Sequence, residues 1–276
     1  MEPDDQGLLD AARGGDRTAL DQLLTRHQGR VYRFGLKMCR DPEDAKDVLQ
    51  DTLLAVARNV KDFRGASSVS TWLYTIARSF CIKRRRRSKF APEQEESLDM
   101  GPDGEATQLA DPARGADESL AGRQIERALE QAIADLDPMY REVLVLRDVE
   151  GLSAPEVAEV MGLTVEAVKS RLHRARVSVR EKVAPLLGIP EPMVPLASAC
   201  PDVVSLFSQH LEGEISANVC VDMERHLAAC PRCRARCDSL QKTLVMCRSS
   251  PAPEVPAPVQ QSVRDALRRL LEERAS

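Results

Sequence analysis

The chain of 276 residues is poor in aromatic side chains, which make up 3% of it and include a single tryptophan. It has no hydrophobic run long enough to cross a bilayer, and its first residues (MEPDDQGLLD) are acidic where a secretory signal would be basic. No stretch of any length has the alternating pattern of a β-strand. These absences predict an all-α protein of the cytoplasm with no membrane partner.

Positive charge is also not in excess, because the net charge is −4. The whole surface is therefore not suited to a polyanion, and any contact with phosphate must be local. Such a local concentration exists at residues 83–89 (KRRRRSK). The segment that follows, 91–118, is acidic and rich in proline and glycine, which is typical of a flexible linker.

Composition and periodicity divide the chain into successive segments. Two of them are helical by pattern, one is rich in cysteine, and the others contain proline, glycine or acidic residues. The predicted order is a helical domain 8–90, a flexible acidic linker 91–120, a second helical domain 121–187, a linker 188–199, a cysteine-rich domain 200–248, and a Pro-rich spacer with an amphipathic helix in 249–276.

The first helical domain contains a helix that begins at Asp41-Pro42, a cap followed by a proline suited to the first turn. Apolar residues recur from Ala45 to Val60 at spacings of three and four and predict one buried stripe. The opposite side of this helix carries Asp44, Asp47, Gln50 and Asp51.

The second helical domain contains the outline of a helix-turn-helix. Ser153 to Glu156 forms a capping box, Gly162 ends the first short helix, and Thr164 caps the next one. Wound at 3.6 residues per turn, the second helix buries Val168, Leu172 and their neighbours. Its outer face carries Lys169, Ser170, Arg171, His173 and Arg174, with Arg176 and Arg180 beside them. Such a face suits the major groove of DNA, although a solvated basic helix has the same pattern.

A third feature is the loop 64–70 (RGASSVS) and the helix after it, which ends in the basic block. Exposed aromatic rings beside phosphate-neutralising side chains suit single-stranded or melting DNA. For Trp72 and Phe80 taken singly, packing in the core is the competing interpretation.

Six of the eight cysteines lie between Cys200 and Cys247, and in a reducing compartment such clustering favours metal or redox chemistry. His226 and Cys230 share a helix face, and Cys233 completes a C-x-x-C pair. One nitrogen and two sulfurs at this spacing predict tetrahedral zinc. The fourth ligand is expected to be Cys200, with His210 as the competitor.

Three further cysteines remain in this segment. Cys220, Cys237 and Cys247 could supply further metal ligands, for which soft thiolates favour Cd(II), Zn(II) or Cu(I). Each of them taken singly is more often a small buried residue.

Two long stretches resemble a known family. DPEDAKDVLQDTLLAVARNVKDFRGASSVSTWLYTIARSFCIKRRRR resembles region 2, and LDPMYREVLVLRDVEGLSAPEVAEVMGLTVEAVKSRLHRAR resembles region 4, of the extracytoplasmic-function (ECF) sigma factors of bacterial RNA polymerase. The resemblance implies no enzymatic activity and no small-molecule substrate. It implies two partners, core RNA polymerase and promoter DNA.

The same resemblance implies roles for individual residues. The polymerase would contact Asp44, Asp47, Gln50 and Asp51. The −35 element would be read by Lys169, Ser170, Arg171, His173 and Arg174. The −10 element would be melted, and a flipped base held, by Arg64, Gly65, Ser67, Ser68, Trp72, Lys83 and Arg84.

The H-x3-C-x2-C pattern with an upstream cysteine resembles the zinc-binding anti-sigma fold, and its fusion to a sigma factor resembles the metal-responsive ECF group. The implied architecture is two helical sigma domains and a small helical zinc domain that contacts them and controls their activity. The same resemblance implies a second, sensory metal site at Cys220, Cys237 and Cys247. Control by thiol oxidation with zinc release is the alternative. A zinc-containing repressor and a thiol-disulfide oxidoreductase are weaker ones. Which metal is the signal, whether the tail inhibits or activates, and what residues 262–274 do stay open.

Overall fold

The computed structural model describes residues 4–39, 41–63, 65, 67–189 without 91–115, and 200–273. Every regular element among these residues is a helix, and none of them is a strand. The all-α prediction is therefore confirmed. None of the described helices combines the length and the hydropathy needed to cross a bilayer.

The first helical unit consists of α1 (Asp5–Arg13), α2 (Arg17–Cys39), α3 (Pro42–Asn59) and α4 (Val69–Phe90). The Asp41 side chain accepts a hydrogen bond from the backbone N–H of Glu43 at 2.8 Å, as the Asp-Pro cap predicts. The predicted stripe of α3 is buried, since Val48 and Leu49 are both 0% exposed. Burial of this stripe against α2 and α4 is what holds the three long helices together.

The second unit consists of α5 (Ala116–Ala134), α6 (Pro138–Leu144), a π-helical turn (Val145–Val149), α7 (Ala154–Met161) and α8 (Val165–Val183). Both halves of the predicted capping box at Ser153 are present. Gly162 ends α7 with a φ of +66°, and the Thr164 side chain accepts a hydrogen bond from Ala167 N. The helix-turn-helix thus forms as predicted. The helix α5 already begins at Ala116, within the predicted linker 91–120, whose residues 91–115 lie outside the described part.

The third unit is small and contains α9 (Val203–Leu211), α10 (Ala217–Ala229) and α11 (Pro231–Ser249). Its main apolar cluster comes from α9 and α11 and includes Val203, Val204, Leu240 and Leu244, and Met223 of α10 is buried as well. Most of the predicted linker before it, residues 190–199, lies outside the described part of the chain. So small a core indicates that this unit needs additional stabilisation.

The end of the chain returns to the first unit. The predicted Pro-rich spacer packs on the first unit. Ala252 and Pro253 lie against Gly29 of α2, and Val255 is 5% exposed. The helix α12 (Ala257–Glu273) begins five residues earlier than the predicted amphipathic stretch and packs on α3. Its buried face carries Val259, Val263, Ala266, Leu267 and Leu270.

A buried carboxylate joins the first two units. Glu150, which follows the π-helical turn, has a side chain that is 0% exposed. Arg33 of α2 donates to its two carboxylate oxygens at 2.7 and 2.8 Å, and the hydroxyl of Tyr74 donates to one of them at 2.6 Å. Burial and the charge of Glu150 raise the pKa of Tyr74 well above its usual value, so the phenol stays protonated and keeps donating.

Glu150→Ala is expected to lower the free energy of unfolding by about 3–5 kcal/mol, because it leaves Arg33 buried without its carboxylate. Urea denaturation followed by circular dichroism measures the change. Glu159→Ala, on the exposed face of α7, is the matched control and should change stability little. Equal stability of the two variants would contradict the role given to Glu150.

Candidate zinc centre and nucleic-acid interface

Four side chains of the third unit converge on one point. The ligand atoms of Cys200, His226, Cys230 and Cys233 all lie within 4.8 Å of one another. Cys200 precedes α9, His226 is in the last turn of α10, Cys230 lies between α10 and α11, and Cys233 is in the first turn of α11. The site therefore ties together all three helices of the unit.

The local sequence accounts for this convergence. Cys230 has extended backbone angles (φ −117°, ψ 100°) and is followed by Pro231, so α10 stops and α11 starts at this point. Arg234 donates hydrogen bonds to the carbonyl oxygens of Leu227 and Ala228 at 3.0 and 3.1 Å. These hydrogen bonds supply donors to the last carbonyl groups of α10, which have no partner inside the helix, and fix the angle between α10 and α11.

The donor set fits tetrahedral zinc, for which three cysteines and one histidine form a common structural site. The buried Nε2 atom of His226 has no hydrogen-bond partner in the protein, so a lone pair is available for a metal. Burial and the adjacent thiols Cys230 and Cys200 raise the pKa of Cys233 to about 12. A cation shared by the three sulfurs would remove the repulsion that causes part of this rise.

Cys200, and not the competing candidate His210, is the fourth side chain of the cluster. The Nδ1 atom of His210 lies instead 3.3 Å from the sulfur of Cys220. The sequence alone could not decide between the two, because the choice depends on how α9 packs.

The second site predicted from Cys220, Cys237 and Cys247 does not assemble. Cys237 is 6% exposed in the small core and its thiol lies 3.7 Å from the carbonyl oxygen of Val203. Cys247 is 1% exposed and belongs to the large core shared by the first two units. Burial raises the pKa of these two thiols to about 11 and about 12. Cys237 lies on the same face of α11 as Cys233, as its spacing predicts. That face is buried in the apolar core of the third unit.

The outer face of α8 carries the side chains predicted to read DNA. Ser170 and Arg174 are exposed, while Lys169, Arg171 and His173 are half-buried. The expectation that Arg176 and Arg180 flank this face is wrong. Arg176 is 1% exposed and donates to both carboxylate oxygens of Asp148 at 2.8 and 2.7 Å. Arg180 is 4% exposed and donates to the hydroxyl of Ser239 at 2.7 Å.

The loop predicted to hold a flipped base is partly described, since Arg64 lies outside the described residues. Gly65 has a φ of +72°, Ser67 is half-buried, and Lys83 is exposed. Trp72 stacks on Phe63 with ring centroids 4.5 Å apart, which favours core packing for this indole. Ser68 is engaged by the second unit, because its hydroxyl donates to Glu156 of α7 at 2.8 Å.

The acidic side chains predicted to contact the polymerase form ion pairs within the protein. Arg84 lies 2.5 Å from Asp47, 3.5 Å from Asp51 and 3.8 Å from Asp44. A predicted DNA-binding cation thus pairs with three predicted polymerase-binding acids. Sequence reasoning missed this pairing, because it depends on how α4 crosses α3.

Family profiles match three parts of the chain. Sigma-70 region 2 matches residues 23–90, Sigma-70 region 4 matches 126–179, and a family described as a putative zinc-finger matches 200–234. The matches agree with the three helical units. All four clustered ligands lie inside the zinc-finger match, which begins at Cys200.

Curated relatives agree with these profiles, and a solved structure is also similar to part of the chain. An ECF RNA polymerase sigma-E factor of Haemophilus influenzae is 32% identical over 66% of this chain and 97% of its own length. The ECF sigma factor SigM of Mycobacterium tuberculosis is 33% identical over 68% of this chain and 86% of its own. A structure of CnrH with the cytosolic domain of CnrY is 26% identical, covers 64% of this chain and 95% of its own, and has a TM-score of 0.46.

Two regions that together bind promoter DNA and core polymerase define a sigma factor as the class of protein. This chain belongs to the ECF sigma factors of RNA polymerase, and it carries a C-terminal zinc-finger region in addition.

Cys233→Ser is expected to abolish zinc retention and to unfold the third unit, because metal binding and folding are coupled in so small a domain. Elemental analysis and circular dichroism of the purified protein measure both effects. Cys237→Ala removes a nearby thiol outside the cluster and should keep the zinc content of the native protein. Loss of zinc in both variants would contradict the ligand set.

Proposed function

We propose that this ECF sigma factor directs promoter-specific initiation under the control of its own C-terminal domain, whose metal site sets how that domain contacts region 4. Transcription initiation follows from the family. Metal control is the added step, and it rests on contacts between the third unit and the DNA-reading helix.

The observation that carries the proposal is the buried guanidinium of Arg176. It bonds Asp148 within region 4, and it also donates to the hydroxyl of Ser208 at 3.1 Å and to Glu212 at 2.8 Å, both at the α9 end of the third unit. These bonds to Asp148 and Glu212 raise the pKa of Arg176 although burial alone would lower it. A fully buried charge held from two domains couples their positions.

Two neighbouring carboxylates extend this contact. Glu212 also accepts from Arg147 at 3.1 Å, and Glu214 lies 3.2 Å from Lys169. Lys169 belongs to the face that we propose reads the −35 element. Glu214 competes with DNA phosphate for the ammonium group of Lys169. Docking of the third unit on region 4 therefore weakens DNA binding.

The metal centre reaches this contact through α9. Cys200 precedes α9 and is tied to α10 and α11 at the ligand cluster, while Ser208 and Glu212 lie at the other end of α9. A change of metal, or its loss, alters the position of α9 and with it the bonds to Arg176 and Lys169. The tail then shifts the sigma regions between a restrained and a released population.

One site serves both as structural and as sensory centre in this proposal. The four clustered ligands form the one such group among the described residues, and Cys220, Cys237 and Cys247 lie apart. Zinc is the resident metal, and Cd(II), Zn(II) in excess or Cu(I) are the candidate signals, since soft ions compete for thiolates.

The remaining roles complete the proposal. Lys169, Ser170, Arg171, His173 and Arg174 read the −35 element. The loop with Arg64, Gly65, Ser67 and Ser68, together with Trp72, Lys83 and Arg84, acts at the −10 element. The polymerase contacts Asp44, Asp47, Gln50 and Asp51.

Thiol oxidation is a second candidate signal at the same ligands. The partial exposure of Cys200 and Cys230 favours it, because an oxidant can reach these sulfurs. Zinc release would follow oxidation, and the consequences for α9 would be those of metal loss.

Transcription in vitro with core polymerase tests the proposal. Exchange of zinc for Cd(II) or Cu(I) is expected to change promoter-specific initiation at least about fivefold, and Cys233→Ser is expected to initiate at a level that no metal alters. A parallel series with peroxide separates oxidation from metal exchange. Identical initiation by native protein under every metal and peroxide condition would overturn control by the C-terminal domain, but not the sigma-factor function.

A further inference from the structure

The outer side of α3 is covered by the C-terminal helix α12. Val263 is 4% exposed, and Leu267 and Leu270 are each 8% exposed, so the apolar face of α12 is buried on the first unit. The hydroxyl of Ser262 donates to the side-chain oxygen of Gln50 at 3.1 Å. Gln50 is one of the four residues that we propose contact the polymerase.

The segment before α12 holds it in place. Arg33 donates to the carbonyl oxygen of Ser250 at 2.6 Å, and Ala252 lies against Gly29. The side chain of Gln260 donates to the carbonyl oxygen of Val255 at 2.8 Å and closes the entry to the helix. Residues 250–256 therefore cross α2 as an ordered strap, and α12 docks as a tethered ligand at high effective concentration.

The composition of α12 fits a replaceable ligand. Its buried face consists of valine, alanine and leucine, while Gln261, Arg264 and Arg268 on the other side are exposed. Helix-in-groove docking of this kind depends on a few apolar side chains spaced one turn apart. A partner helix with the same spacing can occupy the same surface once α12 leaves.

We propose that the α3 surface around Gln50 is a helix-binding surface for the polymerase and that α12 is its internal competitor. This inference rests on the proposed role of α3 in polymerase binding. Only chains in which α12 has left the surface can bind core polymerase. The apparent affinity is therefore the intrinsic affinity multiplied by the fraction of such open chains. The tail thus restrains both regions, region 4 through Glu212 and Glu214 and region 2 through α12.

Val263→Asp in the full-length chain tests this masking. Placing a carboxylate in the buried face is expected to undock α12, to speed amide exchange along α3, and to raise the affinity for core polymerase at least about fivefold. Gln261→Asp introduces the same charge on the exposed face of the same helix and should behave like the native protein.

The outcomes separate the two proposals. Faster exchange along α3 in Val263→Asp with unchanged polymerase affinity would overturn masking and leave the sigma-factor function intact. Unchanged exchange would overturn the docking of α12 itself. Absence of polymerase binding by every variant would contradict the assignment of α3 and, with it, the masking.

An independent observation concerns the two cysteines of region 2. The sulfurs of Cys39, at the end of α2, and Cys81, in α4, lie 3.4 Å apart. Cys81 is 5% exposed, whereas Cys39 is half-buried and therefore the one that solutes reach. The hydrogen bond between the two thiols and the nearby guanidinium of Arg84 lower the pKa of Cys39, and together they outweigh the opposing effects of burial and Asp44.

We infer that Cys39 and Cys81 form a peroxide-sensitive thiol pair. The Cys39 thiolate attacks hydrogen peroxide and becomes a sulfenic acid, with hydroxide as the leaving group. The Cys81 thiol then attacks that sulfur, so that the disulfide forms and water leaves. The disulfide joins α2 to α4 one turn before Arg84. It restricts the movement of α4 relative to α3, whose acidic residues pair with Arg84.

Peptide mapping of zinc-loaded full-length protein after limited peroxide treatment tests the pair. A cross-linked peptide containing residues 39 and 81 is expected in the native protein and in Cys237→Ala, and its loss is expected in Cys39→Ser. Oxidation of Cys39 to sulfinic acid without a cross-link, or cross-links confined to the C-terminal domain, would overturn the inference.

Discussion

The arrangement of the described helices depends on the guanidinium of Arg33. It neutralises the buried carboxylate of Glu150, which belongs to region 4, and it donates to the carbonyl oxygen of Ser250, where the tail begins to cross α2. One side chain of region 2 thus bonds region 4 and the strap of residues 250–256. A buried charge of this kind adds little net stability but is costly to leave unpaired, so it selects one relative position of the three parts.

A second buried guanidinium, that of Arg176, plays the same part between region 4 and the zinc domain. Both arginines use carboxylates whose desolvation is offset by several hydrogen bonds. Such contacts are specific and reversible, because separation of the domains exposes every group to water. These buried ion pairs add position-specific contacts to the apolar core that the first two units share.

Local features of the sequence predicted most of the elements. The caps at Asp41, Ser153 and Thr164 and the stop at Gly162 depend on neighbouring residues and formed as expected. The ligand spacing at His226, Cys230 and Cys233 is also local. The long-range contacts were not predictable in the same way, since a basic residue on α8 has the same helical position whether it faces DNA or a carboxylate of another domain. Arg176, Arg180 and the proposed sensory thiols Cys237 and Cys247 were misjudged for this reason.

The ion pairs of Arg33 and Arg176 hold the described parts of the free protein in one arrangement, and we expect core polymerase to open it. A distance measured between probes at Lys61 and Glu181, two exposed positions near α3 and on α8, checks this opening. Unnatural amino acids carry the probes, so that the native cysteines stay intact. In the free protein we expect one narrow distance distribution, which a broader one with a longer mean distance replaces when core polymerase binds. The same distribution in both states would contradict the account.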